Sequence, residues 1–291
     1  MVPMLRTNIS LALATVLGFA VALVAQPPAG GPGGGKGAPK AGAVVEKIRT
    51  LKPNLYLITG GGANTLVRVT PEGLIVADTK NPGDENYTRV MEEIKSVSQA
   101  PVKWVINTQH HPDHVGTNQQ FITAGAQVLA AEPLAKFMAS DQRTKDIPGR
   151  PQVTFAKNYT LKFGGATVDL LFTAPGHSGG DTLVNFTNEK IIMVGDQMSD
   201  TAPIVDFANG GSLKTWNALM DAALKTDFEF AIPGRGEPKT RAEVQAFRDK
   251  MALVASRAAE AAKSGATTFK MDDLGWTFQP AAVTSMIAEM K

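Results

Sequence analysis

The fold of this chain is decided by one segment, Asn107-Thr108-Gln109-His110-His111-Pro112-Asp113-His114, which follows an apolar run that begins at Val102. It holds three of the four histidines in the 291-residue chain. A single histidine is most often a hydrogen-bonded core or surface residue, but that explanation accounts poorly for such a cluster. Imidazole and carboxylate groups are usual ligands of zinc. Because Pro112 would break a helix, the segment is predicted to be a loop in which alternate side chains converge.

The fourth histidine lies in a second loop that also follows an apolar run. This loop reads Thr173-Ala174-Pro175-Gly176-His177-Ser178-Gly179-Gly180-Asp181. We expect the two loops to meet around a metal ion. The chain contains no cysteine, which excludes thiolate ligands, disulfides and cysteine nucleophiles. The metal ligands must therefore be histidine, carboxylate, amide or water.

Short strand-like runs and helical periodicity alternate along the rest of the chain. The predicted strands are 55–58, 64–69, 74–78, 102–107, 153–163, 167–172, 182–186, 190–194 and 228–232, and the predicted helices are 85–98, 212–224 and 240–263. Each half is strand-rich first and helical afterwards, which predicts two sheets packed face to face with helices outside. The expected fold class is α/β (α+β by some schemes), a four-layer αββα sandwich.

Residues 1–25 are typical of a secretory signal peptide. Arg6 precedes an apolar run from Ile9 to Val24, and Ala20-Val21-Ala22 or Ala25 offers a cleavage site. The alternative is a membrane anchor, but the run is short for a full span. Residues 26–43 are dominated by Gly, Pro, Ala and Lys and are predicted to be a flexible tail. The sequence predicts a periplasmic or secreted bacterial protein with no stable membrane span after cleavage, whose folded domain is 44–291.

The charge balance argues against nucleic acid as a partner. Lys and Arg number 29 and Asp and Glu number 27, a formal net charge of +2. We find no basic cluster that would bind a phosphate backbone. A small-molecule substrate is the expected partner, and the oligomeric state is left open.

At this point the histidine segment resembles the His-x-His-x-Asp-His signature of the metallo-β-lactamase superfamily. Further marks occur in the family's order: Asp78 in Val-Ala-Asp-Thr, His177 in Pro-Gly-His-Ser, Asp196 in Val-Gly-Asp, and Ile-Pro-Gly-Arg-Gly at 232–236. The resemblance covers Leu51 to Glu237 and includes third-subclass β-lactamases and glyoxalase II-like members. It implies the metallo-β-lactamase type of αββα fold and a zinc-dependent hydrolase domain.

The resemblance also implies roles for single residues. His111 and His177 match ligands of the first metal, and Asp113 and His114 match ligands of the second. Asp196 matches the carboxylate that bridges the two metals in glyoxalase II-like members. Asp78 matches an acid that orients the metal loop, and His110 falls on a variable position and is expected to be a bystander.

The sequence departs from this signature at two positions. Gln109 replaces the first signature histidine, and its amide oxygen is a weaker, neutral ligand that some third-subclass β-lactamases also have. Arg235 replaces the last metal-binding histidine, and a guanidinium stays protonated and offers no lone pair. At about 5 Å and an effective dielectric near 20, Arg⁺ and Zn²⁺ repel by several kcal/mol. The second metal site is therefore expected to be weak.

Two one-metal arrangements remain open from the sequence, and binding of two zinc ions is a further alternative. In the first, His111, His177, Asp196 and Gln109 hold the ion, while Arg235 pairs with Asp113 in place of the second cation. Asp113 would then orient the attacking water, which makes Asp113 and Arg235 the candidate catalytic residues. In the second, the ion is held by Asp113, His114 and Asp196.

The predicted function is exported, metal-dependent hydrolysis of an amide, lactone, ester or thioester by a zinc-activated water. A β-lactam is one candidate substrate, because Arg235 could hold its carboxylate. The alternative is a non-catalytic binding protein with a degenerate metal site. A phosphodiesterase or nuclease on the same fold is disfavoured by the neutral charge balance.

Overall fold

A computed structural model describes residues 44–291. The predicted signal peptide at 1–25 and the predicted tail at 26–43 lie outside the described residues. Thirteen strands form two sheets. The strands are β1 Arg49–Lys52, β2 Leu55–Ile58, β3 Thr65–Thr70, β4 Gly73–Ala77, β5 Val102–Ile106, β6 Gln127–Ala131, β7 Val153–Phe155, β8 Tyr159–Phe163, β9 Ala166–Leu171, β10 Leu183–Phe186, β11 Ile191–Gly195, β12 Phe230–Pro233 and β13 Lys239–Thr240.

Seven α-helices occur in the described residues. They are α1 Asp84–Lys95, α2 Pro112–Val115, α3 Asn118–Thr123, α4 Glu132–Ser140, α5 Trp216–Lys225, α6 Arg241–Ser264 and α7 Pro280–Glu289. Helix α6 begins with a capping box, in which the Thr240 hydroxyl accepts from the Glu243 amide and the Glu243 carboxylate accepts from the Thr240 amide. Each of the two side chains thus satisfies a helix-end amide that has no partner within the helix.

The first sheet has the strand order β1-β2-β3-β4-β5-β6-β7. It is antiparallel from β1 to β4 and parallel from β4 to β7. The second sheet has the order β13-β12-β11-β10-β9-β8, and β11 and β12 are its one parallel pair. In both sheets, strands of the parallel part end beside one another, so the loops that follow them meet.

Three buried apolar clusters show the layers. The central cluster contains Leu66 and Ile75 of the first sheet together with Val168 and Phe186 of the second, so the two sheets pack face to face. A second cluster packs α5, α6 and α7 on the outside of the second sheet. A third packs α1 and α3 on the outside of the first sheet. These four layers confirm the predicted αββα sandwich.

The structure corrects one predicted strand. Residues 153–163 form two strands, β7 in the first sheet and β8 in the second. The break falls at 156–158, three exposed residues at which the chain passes from one sheet to the other. Alternation of apolar residues continues across this break, because both strands bury side chains in the same central cluster. The sequence pattern therefore could not show it.

Helix boundaries also differ from the predictions, and several elements were not predicted. The helix predicted to begin at residue 212 begins at Trp216. Strands β1, β6 and β13 and helices α2, α3, α4 and α7 were missed. Within residues 44–291, the structure has no helix whose length and hydropathy would suit a bilayer crossing.

Candidate metal centre

Asp78 joins the end of β4 to the histidine segment. Its Oδ1 accepts from the Thr108 amide at 2.8 Å, and its Oδ2 accepts from the Thr108 hydroxyl at 2.6 Å. The same Oδ2 is 2.7 Å from Nδ1 of His114. Both Asp78 and His114 are fully buried. This contact fixes the His114 ring with its Nε2 directed away from Asp78, which is the orienting geometry that the resemblance implies for this acid.

His111 and His177 meet with their ring nitrogens face to face. Nε2 of His111 is 2.8 Å from the carboxylate of Asp206, and Nδ1 of His177 is 2.8 Å from the carbonyl oxygen of Ile204. Each of these contacts places a ring proton on the nitrogen that touches oxygen. The other two nitrogens, Nδ1 of His111 and Nε2 of His177, then carry lone pairs and lie only 3.0 Å apart.

Two facing lone pairs repel unless a cation or a proton lies between them. Burial lowers the pKa of His111, and the nearby His177 and Arg143 lower it further, although Asp206 acts in the opposite direction. A doubly protonated His111 ring is therefore disfavoured. Asp196 supplies a carboxylate oxygen 3.6 Å from Nε2 of His177. Donor atoms of His111, His177 and Asp196 all lie within 4.8 Å of one another, and two imidazoles with a carboxylate fit a zinc-like divalent ion.

Arg235 lies between the two carboxylates of the site. One terminal nitrogen donates to both oxygens of Asp196 at 3.0 and 2.9 Å, and the other donates to Oδ2 of Asp113. The expected ion pair with Asp113 is thus present, and Asp196 shares the same guanidinium. Burial opposes the charged form of Asp196, but Arg235 and His114 outweigh it and hold the pKa of Asp196 well below its usual range. The attraction of Asp196, and then of Asp113, raises the pKa of Arg235.

Gln109 and His114 occupy the other side of Asp196. The Gln109 amide nitrogen is 2.8 Å from Nε2 of His114 and 2.9 Å from Oδ2 of Asp196. Burial lowers the pKa of His114, but the carboxylates of Asp78, Asp113 and Asp196 outweigh it and raise that pKa well above its usual value. In this orientation the Gln109 amide donates to Asp196, and turning it by 180° would set its oxygen against the Asp196 carboxylate.

The amide oxygen of Gln109 is buried and has no hydrogen-bond partner among residues 44–291. It remains able to accept, as a metal ligand would. Asp113 and Asp196 each have a carboxylate oxygen close to Nε2 of His114, at 3.6 and 3.5 Å. Even so, among residues 44–291, neither Asp113 nor His114 belongs to a group of three or more residues whose ligand atoms all lie within 4.8 Å of one another. N–H donors from Arg235 and Gln109 occupy that part of the site.

His110 faces away from this centre. Its Nε2 is 3.0 Å from Asp141, and burial followed by the charge of His111 lowers the pKa of His110 to about 4. Arg143 bonds Asp141 and also Asp206. The four residues His110, His111, Asp141 and Asp206 converge closely enough to hold a metal, but the guanidinium of Arg143 already supplies their positive charge. His110 thus contributes to the wall behind His111.

The sequence analysis missed Asp206 and Arg143. Asp206 accepts from His111, Arg143 and the side chain of Asn209. Burial raises its pKa, but the hydrogen bonds from His111 and Arg143 outweigh burial and lower it far below the usual value. Asp206 therefore stays charged and holds the His111 ring in one orientation. No spacing signal marks it, because it lies in an irregular loop that connects β11 to α5.

Asn64 follows the glycine-rich turn between β2 and β3 and contacts the turn that carries Arg235. Its side-chain amide donates to the carbonyls of Pro233 and Gly236, both at 2.9 Å, and its main-chain amide donates to Gly234 at 2.7 Å. Asn64 therefore clamps the turn that carries Arg235. Asn64 follows the glycines at 60–62, and this position was the available signal.

The glycine-rich turn at 60–63 packs closely on the histidine segment at 107–114. Gly62 has φ 126°, and a side chain there would place its Cβ 2.8 Å from the Asn81 amide and 3.1 Å from Cβ of Asp113. Glycine at position 62 is thus required by close approach as well as by backbone conformation.

Lys80 also contacts this turn. It is fully buried, and its ammonium donates to the carbonyls of Ile58 and Ala63 at 2.7 and 2.6 Å.

A cleft of about 110 Å³ opens beside Arg235. It is lined by His177, Asp196 and Arg235 and by residues between 198 and 204. Ser199 and Asp200 follow Asp196 closely in the chain and lie at the cleft. Met198 packs in the core and also lines the cleft.

The comparisons with known proteins agree with this architecture. A family model described as the metallo-beta-lactamase superfamily matches residues 51–234. The chain belongs to the metallo-β-lactamase superfamily. Members of this family are typically hydrolases, and the family implies binding of a divalent metal.

Relatives with described functions are distant. The alpha subunit of a 2,4-dinitroanisole O-demethylase from Nocardioides sp. (strain JS1661) is 25% identical over 78% of this chain and 70% of its own length. A hydroxyacylglutathione hydrolase from Synechococcus sp. (strain JA-2-3B'a(2-13)) is 30% identical over 38% of this chain, and the match spans only 39% of that enzyme.

Among solved structures, a metallo-beta-lactamase from Pontibacter korlensis has a TM-score of 0.63 at 20% identity, covering 72% of this chain and 99% of that one. An inverting sec-alkylsulfatase from Pseudomonas sp. has a TM-score of 0.68 at 15% identity, covering 84% of this chain and 49% of that one. These likenesses show the shared fold.

Proposed function

We propose that this protein is an exported hydrolase that uses one divalent metal ion, held by His111, His177 and Asp196. The observation that carries the proposal is the pair of facing ring nitrogens, Nδ1 of His111 and Nε2 of His177, 3.0 Å apart. Their opposite nitrogens are engaged by oxygen atoms of Asp206 and Ile204. Both rings are therefore oriented as ligands, and Gln109 is a weaker additional candidate ligand.

The rival arrangement on Asp113, His114 and Asp196 is less well supported. Arg235 lies between the two carboxylates and would have to leave before a cation could bind there. At about 5 Å and an effective dielectric near 20, a guanidinium and a divalent ion repel by several kcal/mol. Arg235 thus supplies the positive charge that a second ion would otherwise bring.

A bound divalent metal would lower the pKa of water toward neutrality and polarise a carbonyl oxygen. The protein's own residues have separate parts in this proposal. Asp196 is held charged by Arg235, so it is suited to ligation and cannot take up a proton near neutral pH. We assign Asp113 to orient the attacking water, with Arg235 fixing the position of its carboxylate.

The scissile bond in this proposal is an ester, lactone, thioester or amide. The names of two relatives add two bond types to the candidates. The 2,4-dinitroanisole O-demethylase adds an aryl methyl ether, and a linear primary-alkylsulfatase from Pseudomonas sp. (strain ATCC 19151) adds a sulfate ester. Because these chemistries differ, a screen should include all six classes and a chromogenic β-lactam. Activity should depend on added metal and should be lost in a His177→Ala variant.

Metal analysis tests the proposal before any substrate is known. We expect about one tightly bound zinc per chain in the wild type and in His114→Ala, and loss of that zinc in His111→Ala and His177→Ala. Two tightly bound ions would contradict the one-metal site, and loss of zinc in His114→Ala alone would favour the rival site. Absence of zinc, with no change in stability on chelation, would favour a second candidate function, that of a non-catalytic binding protein. The ion pairs of Arg235 with Asp113 and Asp196 are compatible with that function as well.

The cellular location is a separate part of the proposal. Arg6 and the apolar run from Ile9 to Val24 support export to the periplasm or the medium. Cell fractionation with N-terminal sequencing of the mature protein tests this. We expect a mature chain that begins near residue 23 or 26, and a chain that retains Met1 in the cytoplasm would contradict export.

A further inference from the structure

Residues 198–204 contribute both polar and apolar side chains to the cleft beside the metal centre: Ser199, Asp200 and Thr201 are polar, and three others are apolar. The apolar residues are Met198, Ala202 and Ile204. The Ile204 side chain is 69% exposed at the rim, although the carbonyl of the same residue accepts from His177. An exposed aliphatic side chain fixed beside a candidate metal ligand offers contact to an apolar part of a substrate.

The cations near this cleft are already engaged. Both terminal nitrogens of Arg235 bond Asp113 and Asp196. Lys239 is 2.5 Å from Asp200, which lines the cleft. Within the described residues that line the cleft, Arg235 is the one basic side chain of the Lys or Arg type. A carboxylate or phosphate on the substrate would therefore find no unpaired ammonium or guanidinium there.

We propose that the substrate is an uncharged ester or lactone whose apolar group lies against Met198, Ala202 and Ile204. This inference rests on the proposed hydrolase function and adds the substrate class to it. Anionic compounds, including β-lactams with their ring carboxylate, are disfavoured because Arg235 is already committed to two carboxylates. An anion would have to compete with Asp196 for the charge of Arg235 and with Asp200 for that of Lys239. A bound metal ion, whose charge Asp196 partly offsets, would be its remaining attraction.

Binding of ketones that cannot be hydrolysed tests the substrate class without requiring turnover. Butyrophenone and 3-benzoylpropionate differ by a methyl group in place of a carboxylate. Calorimetric titration should be carried out with and without zinc, because a carboxylate can bind a zinc ion directly. We expect butyrophenone to bind at least about tenfold more tightly in both states. Equal binding, tighter binding of the anion, or no binding of either ketone would overturn the inference.

Variants of the rim residue make the test specific. Ile204→Ser should weaken butyrophenone binding about fivefold, because it removes apolar contact area. Ile204→Lys should weaken butyrophenone and strengthen 3-benzoylpropionate. Leu253→Ser is the matched control, since Leu253 is an aliphatic residue, 40% exposed, on α6 outside the cleft. Equal effects of the changes at 204 and 253 would contradict a role for Ile204 in recognition.

Turnover separates failure of this inference from failure of the proposed function. Methyl 4-acetoxybenzoate and 4-acetoxybenzoate are an uncharged and an anionic ester, and each kcat/KM is divided by the rate constant for hydroxide. We expect the ratio to favour the uncharged ester about tenfold. Preference for the anion would overturn the inference alone. Metal-loaded protein that binds butyrophenone but hydrolyses neither ester would count against hydrolysis of esters and leave the binding preference standing.

Discussion

At the scale of single residues, the centre depends on how two partly buried carboxylates obtain positive charge. Asp113 and Asp196 share the guanidinium of Arg235. Asp196 also has one oxygen 3.6 Å from Nε2 of His177. The carboxylate thus joins the Arg235 side of the site to the histidine side. Replacement of Arg235 should change the number of metal ions bound, and replacement of Asp206 should change the affinity for one ion.

Arg235→His should create a second metal site. Imidazole removes the repelling charge and supplies a lone pair near Asp113, His114 and Asp196. Zinc per chain should rise from about one to about two, and more firmly so when Gln109→His is added. Elemental analysis after dialysis gives the number. Arg89→His, on the exposed face of α1, is the control and should remain at one. A count of one in the double variant would show that the second position cannot form.

Asp206→Asn should weaken metal binding without removing a ligand. The neutral amide oxygen accepts from Nε2 of His111 more weakly than the carboxylate does, so Nδ1 is a poorer ligand. The Kd for zinc should rise about 10- to 100-fold, measured by competition with a chromogenic chelator. Asp227→Asn is the matched control, because Asp227 is an exposed partner of Lys190. Unchanged affinity in Asp206→Asn would mean that the ring needs no carboxylate to orient it.

At the scale of elements, the centre is assembled from strand ends and held together by turns. The turn between β2 and β3 crosses from the first sheet to the β12–β13 turn of the second. Asn64 makes the three hydrogen bonds that join them. Because Arg235 belongs to the clamped turn, the position of its charge depends on a residue far away in sequence.

Asn64→Ala should destabilise the fold and loosen Arg235 together. Two buried carbonyls lose their donor, at a cost of about 1–3 kcal/mol each. Urea unfolding should show a lower free energy of unfolding by about 2–5 kcal/mol. Asn188→Ala, in an exposed turn, is the control and should change stability far less. If both variants lose the same free energy of unfolding, the side-chain hydrogen bonds of Asn64 do not stabilise the fold.

How much of this was predictable depends on the kind of signal. Histidine spacing and apolar alternation are local, so the metal loop and most strands could be predicted from the sequence. Asp206 and Asn64 act through contacts with residues 95 and about 170 positions away, and no local pattern reports such contacts. The sheet change at 156–158 was hidden for a different reason, since both strands face one core and share one alternation.

At the scale of the whole molecule, the site lies where the two sheets meet, and stability there depends on buried charge. Lys80 connects the end of β4 to the turn after β2 through two carbonyl acceptors. Burial lowers the pKa of Lys80 from its usual 10.5 to about 7, although Asp78, Glu46 and Asp113 act in the opposite direction.

Lys80 should therefore make the stability rise with pH between about 7 and 10.5, whereas His114, whose raised pKa acts with the opposite sign, is unchanged in every variant compared below. In this window the unfolded chain binds a proton at Lys80 that the folded chain has largely released. The slope contributed by Lys80 reaches at most about 1.4 kcal/mol per pH unit. Urea unfolding at pH 7, 8 and 9 should show this slope in the wild type and in the exposed-lysine control Lys95→Met, but not in Lys80→Met. Equal slopes in all three would place the titration elsewhere.

The guanidinium of Arg235 also bears on what happens to the proposed site when metal is scarce. A cation that is part of the polypeptide cannot be washed out, diluted away or exchanged for a competing ion. If the protein binds the one ion proposed above, a shortage of metal would remove that ion, and Asp113 and Asp196 would keep the counter-charge of Arg235. The side chains around the proposed site would then keep their positions while the single ion is absent.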